Sequence, residues 1–115
     1  EKNNPNLTSS FNFGPELNSN QTVRKLVKNC LSYWDGIVKE EVCLNAPHEA
    51  NFLNLSIDKS FHKLNWKPSW DFETTVERTI NWYKNVLLLN KDPLLCCMDD
   101  LEAYDQDLIK MDKSF

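Results

Sequence analysis

One stretch constrains its own conformation more tightly than any other part of this chain. Thr22 is followed by Val23, Leu26, Val27, Cys30, Leu31 and Trp34, apolar residues at i, i+3, i+4, i+7, i+8 and i+11. That spacing lays one apolar stripe along a helix of 3.6 residues per turn. Thr22 is a good N-cap because its hydroxyl can accept from a free amide of the first turn. Asp35-Gly36 is the expected stop. Two later stretches repeat the period. Asp71 opens one, with Phe72, Val76, Thr79 or Ile80, Tyr83 and Leu87 on one face, widened by Trp82 and Val86 and ended by Asn90-Lys91-Asp92-Pro93. Met98 to about Met111 is the other, carrying Leu101, Tyr104, Leu108 and Met111. Asp58 to Leu64 predicts a short helix with Phe61 and Leu64 on its buried side. The Asn65-Trp66-Lys67-Pro68 run ends it, since the residue before a proline is pushed out of the helical region.

Strand signals are shorter. Phe11-Asn12-Phe13 before Gly14-Pro15 reads as a strand stopped by a turn. Ile37 to Leu44 sets Val38 and Val42 against Lys39 and Glu41, and Phe52, Leu53 and Leu55 suggest another strand. Residues 1–10 are polar and read as a flexible end, and 11–115 as one folded region. The expectation is an α/β chain, mostly helical with a few short strands. Those strands are too few for a complete sheet, and four tryptophans among many apolar faces want more to pack on. A piece of a larger domain fits this pattern.

Composition excludes several function classes. With 13 Lys plus Arg against 17 Asp plus Glu, the 115 residues carry a formal charge of −4, and the arginines are Arg24 and Arg78 alone. Nucleic acid needs a basic face, so none is expected as a partner. No apolar run approaches the ~20 residues that span a bilayer, so no membrane partner is expected either. Cys30 and Cys43 are isolated and Cys96-Cys97 are adjacent, a poor disulfide framework. Free thiols in a reducing, cytoplasmic compartment are the expected state, with Cys96 and Cys97 as buried apolar thiols.

The residues of an assembled catalytic kit are absent. A dinucleotide site needs a glycine-rich turn so that backbone amides can approach a pyrophosphate. The glycines here are Gly14 and Gly36. No tyrosine has a lysine four residues later: Ile37, Leu87 and Leu108 follow Tyr33, Tyr83 and Tyr104 at that spacing. His48-Glu49 opens like a zinc-protease helix, but the position of the second histidine is Phe52, so no metal is expected.

Phe11-Asn12-Phe13-Gly14-Pro15, Pro47-His48-Glu49-Ala50 and Leu64-Asn65-Trp66-Lys67-Pro68 follow one another at a characteristic separation, with Trp70, Thr79, Trp82-Tyr83-Lys84 and Tyr104 behind them. In this order the chain resembles, from Phe11 to Tyr104, the C-terminal portion of the CDP-glucose 4,6-dehydratase branch of the extended short-chain dehydrogenase/reductase family. The Asn-Phe-Gly-Pro and Pro-His-Glu-Ala elements carry the branch. The Leu-x-Trp-x-Pro and Trp-Tyr elements are shared with other nucleotide-sugar epimerases and dehydratases.

The resemblance implies a mostly helical substrate-binding subdomain whose NAD-binding Rossmann half lies elsewhere, in cis or in trans. It implies a parent lyase that oxidises a nucleotide-hexose at C4, removes water across C5–C6 and returns the hydride to C6. No cofactor is then expected in this chain itself. The implied partners are a nucleotide sugar such as CDP-glucose and the Rossmann half, with a homodimer as a candidate assembly.

It also implies substrate-binding positions. Glu49 either accepts the ribose hydroxyls, a charge-assisted contact about twice as strong as a neutral one, or is a solvated loop carboxylate. His48 is either a structural hydrogen-bonding residue of the same loop or a substrate contact. Asn12 is either a turn cap or a ligand. Lys59 could approach a phosphate or stand in solvent at a helix start. Departures from the family pattern are Asn65 for a glycine, Ser56 for an acidic residue and Asp100-Leu101 for a Gln-Ile pair. The rival reading is a non-catalytic binding or assembly module derived from the same family.

Overall fold

A computed structural model describes residues 8–41 and 54–113. The chain divides into two compact units, Glu1–Asn20 with Glu40–Pro68, and Gln21–Lys39 with Ser69–Phe115. Four helices are present among the described residues: α1 (Val23–Tyr33), α2 (Asp58–Leu64), α3 (Phe72–Leu87) and α4 (Pro93–Lys113), with a single 3-10 turn at Leu17–Ser19. None of them is long and apolar enough to cross a membrane.

The unit that holds α1, α3 and α4 is built around α3, which packs against both of the others. Each helix starts with a side chain that satisfies an amide the helix itself cannot. The Thr22 hydroxyl accepts from the Lys25 amide at 3.2 Å. Asp71 accepts from the Thr74 amide at 2.8 Å, and the Asp71 carbonyl accepts from the Thr75 hydroxyl at 2.7 Å. Asp92 accepts from the Leu94 amide at 2.8 Å, while its carbonyl receives the Cys96 amide at 3.1 Å. Asp92 is thus the N-cap of α4 and Pro93 its first residue, where proline's missing N–H has no intrahelical partner to lose.

The same Asn90–Pro93 run that ends α3 therefore starts α4, five residues earlier than the Met98 start expected from periodicity. Asn90, at φ 50°, turns the chain between them, closing an αα-hairpin over a loop of the usual short length. α1 ends on Trp34 in extended conformation, not on a left-handed Gly36, and Gly36 has no positive φ. Its terminal carbonyls have no cation in their own last turn. Lys84 of α3 supplies one, donating to the Tyr33 carbonyl at 2.8 Å, where a positive charge meets the negative end of the helix.

The unit that holds α2 is a short helix with a stretch of irregular chain stitched to it. The Lys59 ammonium donates to the Ser10 carbonyl at 2.8 Å and sits 4.8 Å from the Phe11 ring centroid. The Ser60 hydroxyl donates to the Asn12 carbonyl. Phe13 meets Trp66 edge to face at 4.9 Å. These contacts explain why Phe11–Phe13 is not the strand its alternation suggested. The carbonyls of Ser10 and Asn12 go to side chains of α2, so the segment has no ladder to join. Ile37–Glu41 and Asn54–Leu55 are likewise irregular, and no strand occurs among the described residues. The remaining positions of those two expected strands, 42–44 and 52–53, lie outside the described residues, as do residues 1–7 of the expected flexible end.

α2 spans the expected Asp58–Leu64 and stops at Asn65, a left-handed C-cap with φ 52° and ψ 35°. The Trp66 amide reaches back to the Ser60 carbonyl at 3.3 Å, giving one of the helix's last carbonyls a partner. Its buried residue is Ser60, with none of its surface exposed, while Phe61 and Leu64 are exposed at 45% and 38%. The expected burial of those two is corrected: the helix turns Ser60 inward, Phe61 lies about 100° from it on the helix wheel, and Leu64, though only about 40° from Ser60, stays exposed as the last residue of the helix. Gly14 has no positive φ, and a Cβ there would meet only ordinary contacts with Ile57 and Leu55 at 3.6 and 3.7 Å. The backbone does not demand glycine at this point of the Asn-Phe-Gly-Pro element.

Candidate functional site

Of the three sequence-derived substrate-binding positions, Asn12 alone falls among the described residues. His48 and Glu49 lie outside them. Asn12 is exposed, and the partner it offers is its main-chain carbonyl, bonded by the buried Ser60 hydroxyl. Because hydroxyl and carbonyl are the same segment's tether, Asn12 acts here through its backbone. Lys59 is exposed at the start of α2, as its solvated reading expects. Its ammonium is shared between the Ser10 carbonyl and the Phe11 ring face, a cation held by a dipole and a quadrupole.

Beside this tether, in the same unit, is an open recess of about 500 Å³. Its floor is Pro15, Leu17, Leu55, Ile57 and Phe61, and Glu16, Asp58 and Lys67 stand around it. Apolar walls with a few polar groups at the edge are the usual make-up of a small-molecule site. Periodicity could not find it, because Leu55, Ile57 and Phe61 come from a loop and a short helix. The alternation of Leu55 and Ile57 was its one visible signal.

The α1–α3–α4 unit carries a second concavity, an open groove of about 610 Å³ between α3 and α4. Arg78, Asn81, Trp82 and Asn85 of α3 face Cys96, Asp99 and Asp100 of α4 across it. The Arg78 guanidinium is 3.6 Å from the Asp100 carboxylate and 5.4 Å from the Trp70 ring centroid, so its charge is already answered on two sides. Trp70 has several partners. Its ring stacks edge to face on Tyr104 at 5.0 Å, its indole N–H donates to Asp107 at 3.1 Å, and the Tyr104 hydroxyl accepts from the adjacent Ser69 amide at 3.2 Å. Lys110 donates to the same Asp107 at 2.9 Å. The lysine bond, then the indole bond, hold the Asp107 carboxyl below the usual carboxylate range.

The carboxylates of α4 do not share one environment. Asp100 and Asp107, seven residues apart, turn toward α3 and Trp70, and Asp99, Glu102 and Asp105 are exposed. The adjacent thiols divide in the same way, Cys96 buried and Cys97 exposed, which corrects the expectation that both are buried. Trp70 is a half-buried packing aromatic, engaged by Tyr104, by Arg78 and at its N–H. The groove can offer hydrogen bonds and a mixed charge pattern. Among the described residues no group of three or more His, Cys, Asp or Glu is placed to hold a metal ion.

No protein-family model and no solved structure matches the chain. It is similar to the CDP-glucose 4,6-dehydratase of Salmonella typhimurium, at 29% identity over 102 residues. The match takes in 85% of this chain and 27% of that protein, so the chain spans about a quarter of the curated relative's length.

Proposed function

We propose that this chain is the C-terminal, substrate-holding portion of an NAD-dependent nucleotide-sugar 4,6-dehydratase acting on CDP-glucose, and that it is not catalytic by itself. The observation that carries the reading is the similarity to CDP-glucose 4,6-dehydratase over 85% of the chain. The order of Asn12-Phe13-Gly14-Pro15, Pro47-His48-Glu49-Ala50 and Leu64-Asn65-Trp66-Lys67-Pro68 agrees with it.

In this reading Glu49 accepts the two vicinal ribose hydroxyls, His48 supports the same loop, and Asn12 borders the site through the backbone that Ser60 tethers. NAD is bound by the Rossmann half of the parent enzyme, which also supplies the acid/base pair that this chain lacks. The chain's share of the work is to orient the nucleoside end, so that the hexose is presented to chemistry carried elsewhere.

A ligand that binds the folded state alone raises its melting temperature. Thermal denaturation with CDP, UDP, GDP and dTDP at equal concentration tests the reading. CDP is expected to give the largest rise, and Glu49→Ala to remove it. No rise with any of the four, or equal rises with all of them, overturns the assignment to CDP-glucose. A rise that survives both Glu49→Ala and His48→Ala overturns the site.

A further inference from the structure

The α3–α4 groove of about 610 Å³ adjoins a smaller recess of about 280 Å³, and Arg78, Trp82 and Asp100 line both. The cations of the larger groove are committed elsewhere. Arg78 faces Asp100 and the Trp70 ring, and Lys84 donates to the Tyr33 carbonyl at 2.8 Å. A phosphate or carboxylate ligand would have to take one of them from its present partner. Other polar groups of the groove are unspent. Glu77, Asn81 and Asn85, at i, i+4 and i+8, form a row along α3 whose members stand about 6 Å apart along the axis, and Asp99 of α4 lines the same groove. Among the described residues none of these four side chains has a hydrogen-bond or ion-pair partner, although Asn81 and Asn85 are half-buried.

We propose that this groove binds an uncharged saccharide, with hydroxyls on the Glu77, Asn81 and Asn85 row and a carbon face on the Trp82 indole. A carboxylate only accepts hydrogen bonds, whereas an amide both accepts and donates. A hydroxyl answers either one. An ammonium would satisfy Glu77 and Asp99 but offer no acceptor to the two amide NH2 groups, and an anion would meet two carboxylates whose charge no neighbour answers. Trp82 supplies an apolar ring where the two recesses join, and an apolar wall with a few placed polar groups is the usual make-up of a small-molecule site of this size. The inference does not depend on the nucleotide-sugar reading, whose described residue, Asn12, belongs to the other unit.

The test titrates the full chain with maltotriose, cellotriose and sucrose, and with gluconate and spermidine as charged counterparts, followed by NMR of the Asn81 and Asn85 side-chain amides and the Trp82 indole N–H. At least one of the three sugars is expected to bind and to shift those signals, and gluconate and spermidine are expected to leave them in place. Asn81→Leu with Asn85→Leu is expected to weaken sugar binding about tenfold or more, as loss of two hydrogen-bonding side chains does. Glu77→Gln, which keeps an acceptor, is expected to weaken it less. No shift with any of the three sugars overturns the proposal. Shifts of those signals by spermidine or gluconate in their place do so too, as does unchanged sugar affinity of the leucine variant with helix content intact by circular dichroism.

Discussion

Single residues set the ends of every helix, and those ends are where substitutions read most cleanly. Asn65 holds φ 52° with a side chain, a conformation that asparagine and glycine tolerate and a β-branched residue does not. Asn65→Gly is expected to leave the urea midpoint unchanged or raise it. Asn65→Val is expected to lower stability by about 1–2 kcal/mol.

Two carboxylates link the fold to pH. Asp71 is held below its ordinary value by the Thr74 amide and then by the Thr74 hydroxyl, and Asp107 by Lys110 and then Trp70. Both pKa values are lower folded than unfolded, so the unfolded chain binds protons first as pH falls. Their contribution is complete above the unfolded carboxylate range, near pH 4, and is lost as pH drops through the folded values. Urea midpoints between pH 7 and pH 3 should therefore fall on acidification. Asp71→Asn, which keeps a capping oxygen, and Asp107→Asn should each flatten that fall.

At the scale of elements, periodicity located all four helices, and capping residues located the starts of α1 and α3. Thr22 and Asp71 do what their side chains suggest, and α2 occupies the expected residues. What the pattern missed lies where one residue run has two duties. Asn90-Lys91-Asp92-Pro93 reads as a terminator because it ends α3, yet Asp92 and Pro93 are equally a cap and a first turn. The short strands failed for a different reason. Alternation specifies which face is apolar but not that a neighbour exists to pair with, and side chains of α2 took the carbonyls of Ser10 and Asn12 instead. Asp92→Ala should cost about 1 kcal/mol and fray the first turn of α4, seen as faster amide exchange at Leu94 and Leu95. Pro93→Ala should be nearly neutral, since no hydrogen bond of the helix depends on it.

For the molecule as a whole, the apolar interior is small. Among the described residues, Val76 and Cys96 are its buried apolar members, and large side chains such as Leu94 and Leu101 stay wet. Val76→Asp is accordingly expected to abolish cooperative unfolding of the α1–α3–α4 unit, and Leu101→Asp to change the urea midpoint hardly at all, because a charge is costly where water is excluded and not where it is present.

The reading of a piece of a larger domain came from strands too few for a sheet and from four tryptophans among many apolar faces. The 27% share of the relative's length agrees with it. The candidate site was less legible. His48 and Glu49 were singled out by their motif, while the recess of Leu55, Ile57 and Phe61 depends on tertiary placement that no local spacing encodes.

The neighbouring thiols Cys96 and Cys97 share a backbone yet live in different solvents, one shut against α3 and one in water. An alkylating reagent meets Cys97 at once and Cys96 only in the instants when α4 lifts away. Their relative reaction rates are therefore a stopwatch for the breathing of that helix, with the reference and the reporter one peptide bond apart.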